Sequence, residues 1–145
     1  MLEVVVQPVY TAEALSTGAG RDGRVRTADG RLDLDLAAPV ELGGAGDGAN
    51  PELLFAAGYA ACFHNSLRSV ARMESIDPGE TAVGARVVLG RTEAGDFRLA
   101  VQLEVVVPDL PLDQARRLAE AAHRRCPYSN AVRGNIEVTV GVVAD

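Results

Sequence analysis

Residues 50–64 read Asn50-Pro51-Glu52-Leu53-Leu54-Phe55-Ala56-Ala57-Gly58-Tyr59-Ala60-Ala61-Cys62-Phe63-His64. Asn50 suits a helix N-cap, Pro51 suits the first helical position, and Glu52 complements the positive end of the helix dipole. The residues from 53 to 63 are apolar nearly all round, and a helix of that kind is buried on several sides. The stretch therefore predicts a buried helix that begins at residue 51 and runs to about residue 74.

This helix also predicts self-association. One sheet of a 145-residue chain covers only one face of such a helix. The helix also carries small side chains that permit close backbone approach, at Ala56, Ala57, Gly58, Ala60 and Ala61. The simplest arrangement is a homodimer that buries the helix between two sheets.

Strands are predicted before the helix, over residues 2–15 and 23–36. The pattern is clearest at residues 31–36, where leucine alternates with charged residues at period two. Asp29-Gly30 predicts a two-residue hairpin turn. Residues 42–50, which contain four glycines, predict a flexible connector.

A strand pair, a second helix and a last strand are predicted after it. Residues 82–91 and 96–107 form the pair, and residues 136–142 form the last strand. The second helix stops at Pro127, and its apolar face is predicted to consist of Leu112, Ala115, Ala119, Ala122 and Cys126. The order predicts a single α+β domain over residues 1–145, with mostly antiparallel sheets and two helices.

Composition excludes several classes of function. The net charge is −6 and the pI is about 4.9, which argues against nucleic acid or an anionic membrane surface as the main partner. No apolar run approaches 18 residues, so no membrane-spanning helix is predicted. The first eight residues lack the basic region and cleavage site of a signal peptide, so a cytoplasmic protein is expected.

The chain has two cysteines, Cys62 and Cys126. In a cytoplasmic protein, such a pair indicates redox chemistry or metal binding more than a structural disulfide. A zinc set with His64 and His123 is disfavoured, because residues 62 and 64 point about 200° apart on a helix. Cys62 as an inert core thiol remains an alternative.

A reactive Cys62 needs a cation from elsewhere in the chain. It lies about three turns inside its helix, too deep for the helix dipole to ionise it, and burial raises a thiol pKa. Arg21 is a candidate because a guanidinium stays charged when desolvated, and Glu52 could pair with it. The alternatives are that Arg21 is an exposed loop cation and that Glu52 only complements the dipole.

Arg21 lies in a loop, Gly18-Ala19-Gly20-Arg21-Asp22-Gly23, that matches the GxGxxG pattern of nucleotide-binding proteins. That fingerprint requires a helix after the loop, whereas the residues that follow predict a strand. Nucleotide binding is therefore disfavoured, and the glycines are better explained as letting the chain fold sharply around Arg21.

Several motifs resemble the Ohr (organic hydroperoxide resistance) branch of the Ohr/OsmC family, and the resemblance covers nearly the whole chain. The motifs are Tyr10-Thr11-Ala12, Thr17-Gly18, Gly20-Arg21-Asp22-Gly23-Arg24, Glu41-Leu42-Gly43-Gly44, residues 50–63, Cys126-Pro127-Tyr128-Ser129-Asn130-Ala131 and Arg133-Gly134-Asn135.

The resemblance implies a thiol-dependent peroxidase that acts on organic hydroperoxides without haem, metal or flavin. It implies that Cys62 is the peroxidatic thiol, that Cys126 is the resolving thiol, and that Arg21 holds the thiolate and is oriented by Glu52. It further implies an OsmC-like fold in an intertwined homodimer and a lipoyl-type dithiol reductant, usually on a lipoylated protein. An apolar pocket is expected, with Phe55, Phe63 and Phe97 as candidate lining.

Two alternatives remain open. One is an OsmC-type peroxidase with a different peroxide preference. The other is a non-catalytic dimer that binds an apolar ligand and carries an incidental disulfide.

Overall fold

A computed structural model describes residues 5–143. The chain divides into two compact units, one ending at Pro51 and the other beginning at Glu52. The first part of the strand predicted from residue 2 lies outside the described residues. The prediction of a single domain over residues 1–145 stays a prediction.

The first unit contains a three-stranded antiparallel sheet in the order β1-β2-β3. Its strands are β1 (Ala14–Thr17), β2 (Arg24–Thr27) and β3 (Asp33–Asp35).

The prediction of a strand up to residue 15 is wrong over residues 5–13, where the structure has none. Pro8 lacks the N–H that a strand ladder requires. Val5, Val6 and Val9 are largely exposed, so the apolar residues there do not reflect a buried strand face.

The second predicted strand is divided by a turn. The backbone N–H of Thr27 donates to the carbonyl of Leu32, which closes a four-residue loop rather than the predicted two-residue turn. The Asp29 carboxylate accepts hydrogen bonds from the Thr27 hydroxyl and from the Arg31 backbone N–H. These local bonds stabilise the longer loop.

The predicted flexible connector is a hydrogen-bonded loop. The backbone N–H groups of Gly44 and Gly46 donate to the carbonyls of Pro39 and Ala38. A Cβ at position 44 would lie 2.0 Å from the Ala38 carbonyl oxygen, so only glycine fits there.

The second unit contains a three-stranded sheet in the order β4-β5-β6 and three helices. Its elements are α1 (Pro51–Met73), β4 (Ala82–Arg91), β5 (Phe97–Val106), α2 (Leu112–Arg125), α3 (Pro127–Val132) and β6 (Glu137–Val143). β4 and β5 are antiparallel, whereas β5 and β6 are parallel and are connected through α2 and α3. The predicted α+β class with mostly antiparallel pairing is confirmed, and α3 is an additional helix that the sequence analysis missed.

Helices and sheet share one core. The inward face of β5 is buried at Val101, Leu103 and Val105. The helices cover it with α1 residues Tyr59, Phe63, Leu67, Val70 and Ala71 and α2 residues Ala115, Leu118, Ala119 and Ala122.

The predicted apolar face of α2 needs one correction. Leu112, the first residue of the helix, is 47% exposed, whereas Leu118 is buried. Position 112 precedes the part of α2 that packs on the core. Among the described residues, no helix is both long enough and apolar enough to cross a membrane.

Candidate active site

Cys126 lies at the junction of two helices. It follows α2, donates its N–H to the carbonyl of Ala122, and accepts a hydrogen bond from the N–H of Asn130 on its own carbonyl. Its backbone is extended (φ −62°, ψ 123°) because a following proline disfavours helical geometry, while Pro127 itself suits the first position of α3. The chain turns at this residue and the thiol is fully buried.

The structure brings the two cysteines together. The Sγ atoms of Cys62 and Cys126 are 3.6 Å apart, and no disulfide joins them. Cys62 is half-buried, whereas Cys126 has no exposed surface. A solute can therefore reach Cys62 more readily than Cys126.

Several groups act on the ionisation of Cys62. Burial is the largest influence and raises its pKa above the ordinary value. A hydrogen bond from the backbone N–H of Tyr128, in the first turn of α3, lowers the pKa. The Cys126 thiol raises it, first through their side-chain hydrogen bond and then through charge repulsion. The net direction is upward, so a reactive thiolate requires a further cation.

A buried hydrogen-bond network lies beside the thiols. The Ser129 Oγ is 2.7 Å from the Tyr59 hydroxyl and 2.8 Å from His123 Nδ1. Ser129 and Tyr59 are fully buried. Burial raises the pKa of Tyr59 and lowers that of His123, and the Arg133 charge lowers the latter further. Both groups are therefore neutral near pH 7.

Arg133 ties the end of α2 to α3. Its guanidinium donates to the backbone carbonyl of His123 and to the side-chain oxygen of Asn130, both at 2.6 Å. A cation at the last carbonyls of a helix satisfies unpaired acceptors and complements the helix dipole. The geometry on either side of Cys126 is thereby fixed.

An aromatic cluster is formed by two residues of α1 that precede Cys62 and one residue of α3. The rings of Phe55, Tyr59 and Tyr128 have centroids 5.7–6.0 Å apart. Tyr128 lies against Gly58, where a Cβ would come within 2.8 Å of its hydroxyl oxygen. The absence of a side chain at position 58 thus lets the Tyr128 ring approach α1 closely.

The three phenylalanines expected to line a pocket lie in different environments. Phe55 is half-buried in the aromatic cluster, and Phe63 is a fully buried core residue. Phe97 begins β5 and is 53% exposed, with the Arg91 guanidinium 4.4 Å from its ring centroid.

Arg21 and Glu52 belong to different compact units. Arg21 lies in a short 3-10 helix (Gly20–Asp22) of the first unit, and the strand predicted after that loop is present as β2. Glu52 lies in the first turn of α1, ten residues before Cys62 and about 15 Å from it along the helix axis. Glu52 is therefore too far from Cys62 for direct contact, and the pairing with Arg21 stays a prediction.

The histidines of the disfavoured zinc set bond to hydroxyl groups. His64 Nε2 is 2.7 Å from Thr81 Oγ1, and His123 bonds Ser129. Within residues 5–143, no three His, Cys, Asp or Glu side chains are placed to hold a metal ion together.

Sequence reasoning did not assign roles to Tyr59, Ser129, His123 or Tyr128. One signal was available, since Pro127 suits the first position of a new helix. The long-range contacts between α1 and α3 have no local signature.

Comparison with known proteins places the chain in a family. Residues 44–141 match the family model described as OsmC-like protein. The chain is 48% identical to an organic hydroperoxide resistance protein of Xanthomonas axonopodis, over 91% of this chain and 93% of the relative.

Solved structures agree with this match. The crystal structure of an organic hydroperoxide resistance protein from Elizabethkingia anophelis superposes with a TM-score of 0.91 at 45% identity, covering 97% of this chain and 100% of that one. A putative organic hydroperoxide resistance protein from Vibrio cholerae, with captopril bound in one of its active sites, gives 0.88 at 47% identity, covering 94% and 93%. The fold is OsmC-like, and the chain belongs to the organic hydroperoxide resistance branch of the OsmC-like family.

Proposed function

We propose that this protein is a thiol-dependent peroxidase that reduces organic hydroperoxides to alcohols. The observation that carries the proposal is the pair of thiols 3.6 Å apart, one half-buried and one buried. Relatives at up to 48% identity among those compared are named for organic hydroperoxide resistance, which supports a role in peroxide detoxification.

The first step oxidises Cys62. Its thiolate sulfur attacks the distal oxygen of the hydroperoxide, the S–O bond forms and the O–O bond breaks. The alkoxide leaves with both electrons of that bond and takes up a proton to become the alcohol. Cys62 is left as a sulfenic acid.

The second step forms the disulfide. The Cys126 sulfur attacks the Cys62 sulfur, the S–S bond forms and the S–O bond breaks. The departing hydroxide combines with the proton of the Cys126 thiol to give water. The buried position of Cys126 keeps it away from peroxide while leaving it within reach of the sulfenic acid.

The third step restores the thiols. A lipoyl-type dithiol, carried on a lipoylated protein, attacks the disulfide and passes through a mixed disulfide. Its second thiol then displaces the protein sulfur, so that the dithiol becomes a cyclic disulfide and both cysteines are reduced.

Arg21 supplies the positive charge that Cys62 requires, and Glu52 orients Arg21. The upward net direction of the Cys62 pKa supports the need for this cation. A planar guanidinium can contact a carboxylate and a thiolate at the same time. Phe55 and Tyr128, which pack on the buried Tyr59 ring, give the site an apolar surface suited to alkyl and aryl hydroperoxides.

The working form is a homodimer in this proposal. Leu53, Ala57 and Ala61 repeat every four residues along α1 and are exposed, Leu53 by 56%. Such a stripe of apolar and small residues suits close packing against a second copy of the chain.

The test is peroxide consumption by the purified protein with dihydrolipoamide or dithiothreitol. We expect turnover of tert-butyl and cumene hydroperoxide, slower turnover of hydrogen peroxide, and none with Cys62→Ser. Equal or faster turnover of hydrogen peroxide would favour the OsmC-type preference. No turnover with either dithiol would overturn the proposal and favour a non-catalytic apolar-ligand-binding dimer.

A further inference from the structure

Ser129 joins two helices through a single buried hydroxyl. Its Oγ is bonded to Tyr59 on α1 and to His123 on α2, at 2.7 and 2.8 Å. A serine hydroxyl has one proton and two lone pairs, so it can donate to one partner while accepting from the other. All three groups are thereby paired beside the thiols.

Ser129 occupies the first turn of α3, and that turn carries two groups to Cys62. One is the Cys126 thiol at the start of the turn, and the other is the Tyr128 backbone N–H, which lowers the pKa of Cys62. α3 is only six residues long, and a helix of that length is not stable by itself. Its position therefore depends on contacts such as those of Ser129.

The thiol pair is sensitive to small movements of this turn. A disulfide needs a sulfur separation of about 2.05 Å, so the sulfurs must approach by only about 1.5 Å from their present distance. Reacting groups held this close benefit from a high effective concentration, and a displacement of about 1 Å can slow such a reaction about a hundredfold.

We propose that Ser129 is a positioning residue for the resolving step: its bonds to Tyr59 and His123 hold the first turn of α3 so that Cys126 stays in reach of Cys62. This inference rests on the proposed function for the order of the chemical steps. It adds that Ser129, Tyr59 and His123 control disulfide formation more than attack on the peroxide.

The first experiment requires no peroxide. The folded protein is equilibrated with glutathione redox buffers, and the Cys62–Cys126 disulfide is quantified by mass spectrometry after acid quench. We expect Ser129→Ala to lower the effective concentration of the two thiols by about tenfold or more. Tyr59→Phe, which keeps the ring and removes its hydroxyl, should lower it by less.

The double variant Tyr59→Phe/Ser129→Ala tests the network itself. If the two hydroxyls act together, the effective concentration of the thiols in the double variant should be no lower than in Ser129→Ala alone, because the effects of substitutions at coupled residues are not additive. Ser66→Ala is the matched control, since Ser66 and Ser129 are the buried polar residues of the described chain and Ser66 is outside this network.

The second experiment separates the two chemical steps by stopped-flow kinetics. In Ser129→Ala, we expect disulfide formation from the sulfenic acid to slow by about tenfold or more and peroxide attack to change by less than about threefold. Slower resolution should raise over-oxidation of Cys62 to sulfinic acid during turnover.

The outcomes separate the two proposals. The positioning role would be overturned if Ser129→Ala had the disulfide equilibrium and resolution rate of the wild type. It would also be overturned if Ser66→Ala lowered both quantities as much as Ser129→Ala does. If the wild-type protein does not consume hydroperoxide but Ser129→Ala still weakens the disulfide, the proposed function fails, and Ser129 still holds the two thiols in position for disulfide formation.

Discussion

The sulfur atoms of Cys62 and Cys126 lie 3.6 Å apart although the residues are 64 positions apart in the chain. The pair is therefore arranged for disulfide formation before any oxidant arrives. The proposed mechanism gives the two thiols different tasks, and their burial suits it, since Cys62 is half-buried and open to a peroxide while Cys126 is fully buried.

This division of labour predicts different products in the two serine variants. Cys62→Ser should abolish peroxidase activity. Cys126→Ser should keep the first oxidation but accumulate sulfenic and then sulfinic acid at Cys62, because the resolving thiol is gone. Intact-mass measurement after one equivalent of hydroperoxide distinguishes these species. Normal resistance of Cys126→Ser to over-oxidation under dithiol turnover would contradict the resolving role.

Removal of the Arg21 charge should slow the reaction of Cys62. Because burial already raises the pKa of Cys62, loss of a stabilising cation leaves still less thiolate at neutral pH. We expect Arg21→Ala to slow peroxide attack by about ten- to a hundredfold, Arg21→Lys to rescue it poorly, and Glu52→Ala to be milder.

The measurement is the rate of alkylation and of peroxide attack as a function of pH. In Arg21→Ala the midpoint of both profiles should move to higher pH, since the protonated thiol persists further as the pH rises. An unchanged midpoint and rate would exclude Arg21 and make Arg24 and Arg133 the next cations to test.

The sequence predicted well the elements whose periodicity is local. The alternation in residues 96–107 and the apolar run around Cys62 correctly predicted β5 and α1. Residues 5–13 misled because valines that are exposed in the structure mimic the pattern of a buried strand. Hydrophobic periodicity reports a potential for burial, and it does not say whether a covering surface exists.

In the candidate site, too, the features set by local sequence could be predicted and those set by long-range packing could not. A cysteine before a proline predicted the end of α2, because that constraint acts within one dipeptide. The bond between Tyr59 and Ser129 joins residues 70 positions apart, and no pattern in either segment predicts it. Such contacts depend on how α1 and α3 pack.

The exposed stripe on α1 predicts a stable dimer. Multi-angle light scattering should give a mass of about twice 15.2 kDa. Ala57→Arg should shift the protein toward monomer, because a long cation cannot be accommodated where two backbones approach closely, and an exposed Arg72→Ala change on the same helix is the control. A monodisperse wild-type monomer at micromolar concentration would contradict this prediction.

Mild acid should destabilise the fold through its two histidines. Burial lowers the pKa values of His64 and His123 below the ordinary value of 6.5, with Arg68 and Arg133 adding to the effect. The unfolded chain therefore binds protons first as the pH falls. The neutral histidines make their full contribution to the free energy of unfolding above about pH 6.5. This contribution is lost as the pH drops toward the histidine pKa values of the folded protein.

Urea unfolding between pH 5.0 and 7.5 measures this effect. The urea concentration at the unfolding midpoint should decrease as the pH is lowered in the wild type. It should decrease less in His64→Gln and in His123→Gln, because each substitution removes one titrating group. Asp29 and Asp33, whose pKa values are lowered, should contribute only at more acidic pH. A midpoint independent of pH across this range would contradict the prediction.

The contact between Gly58 and Tyr128 predicts a change in substrate preference without loss of stability. A Cβ at position 58 would lie 2.8 Å from the Tyr128 hydroxyl oxygen and 3.2 Å from a ring carbon. That ring is the outer end of a rotatable side chain and is 38% exposed, so in Gly58→Ala the ring should move while α1 stays in place. Alanine also favours a helix interior over glycine by about 0.5–1 kcal/mol, so the melting temperature should not fall.

The displaced ring opens the aromatic cluster, and the KM for cumene hydroperoxide should rise by about tenfold, while that for the smaller tert-butyl hydroperoxide changes less. Because the closest approach involves the hydroxyl, the double variant Gly58→Ala/Tyr128→Phe should recover part of the loss. Gly84→Ala, where an added Cβ meets no atom within 4 Å, is the matched control. If the KM for cumene hydroperoxide is the same in Gly58→Ala and in Gly84→Ala, the Tyr128 ring does not contribute to the substrate surface.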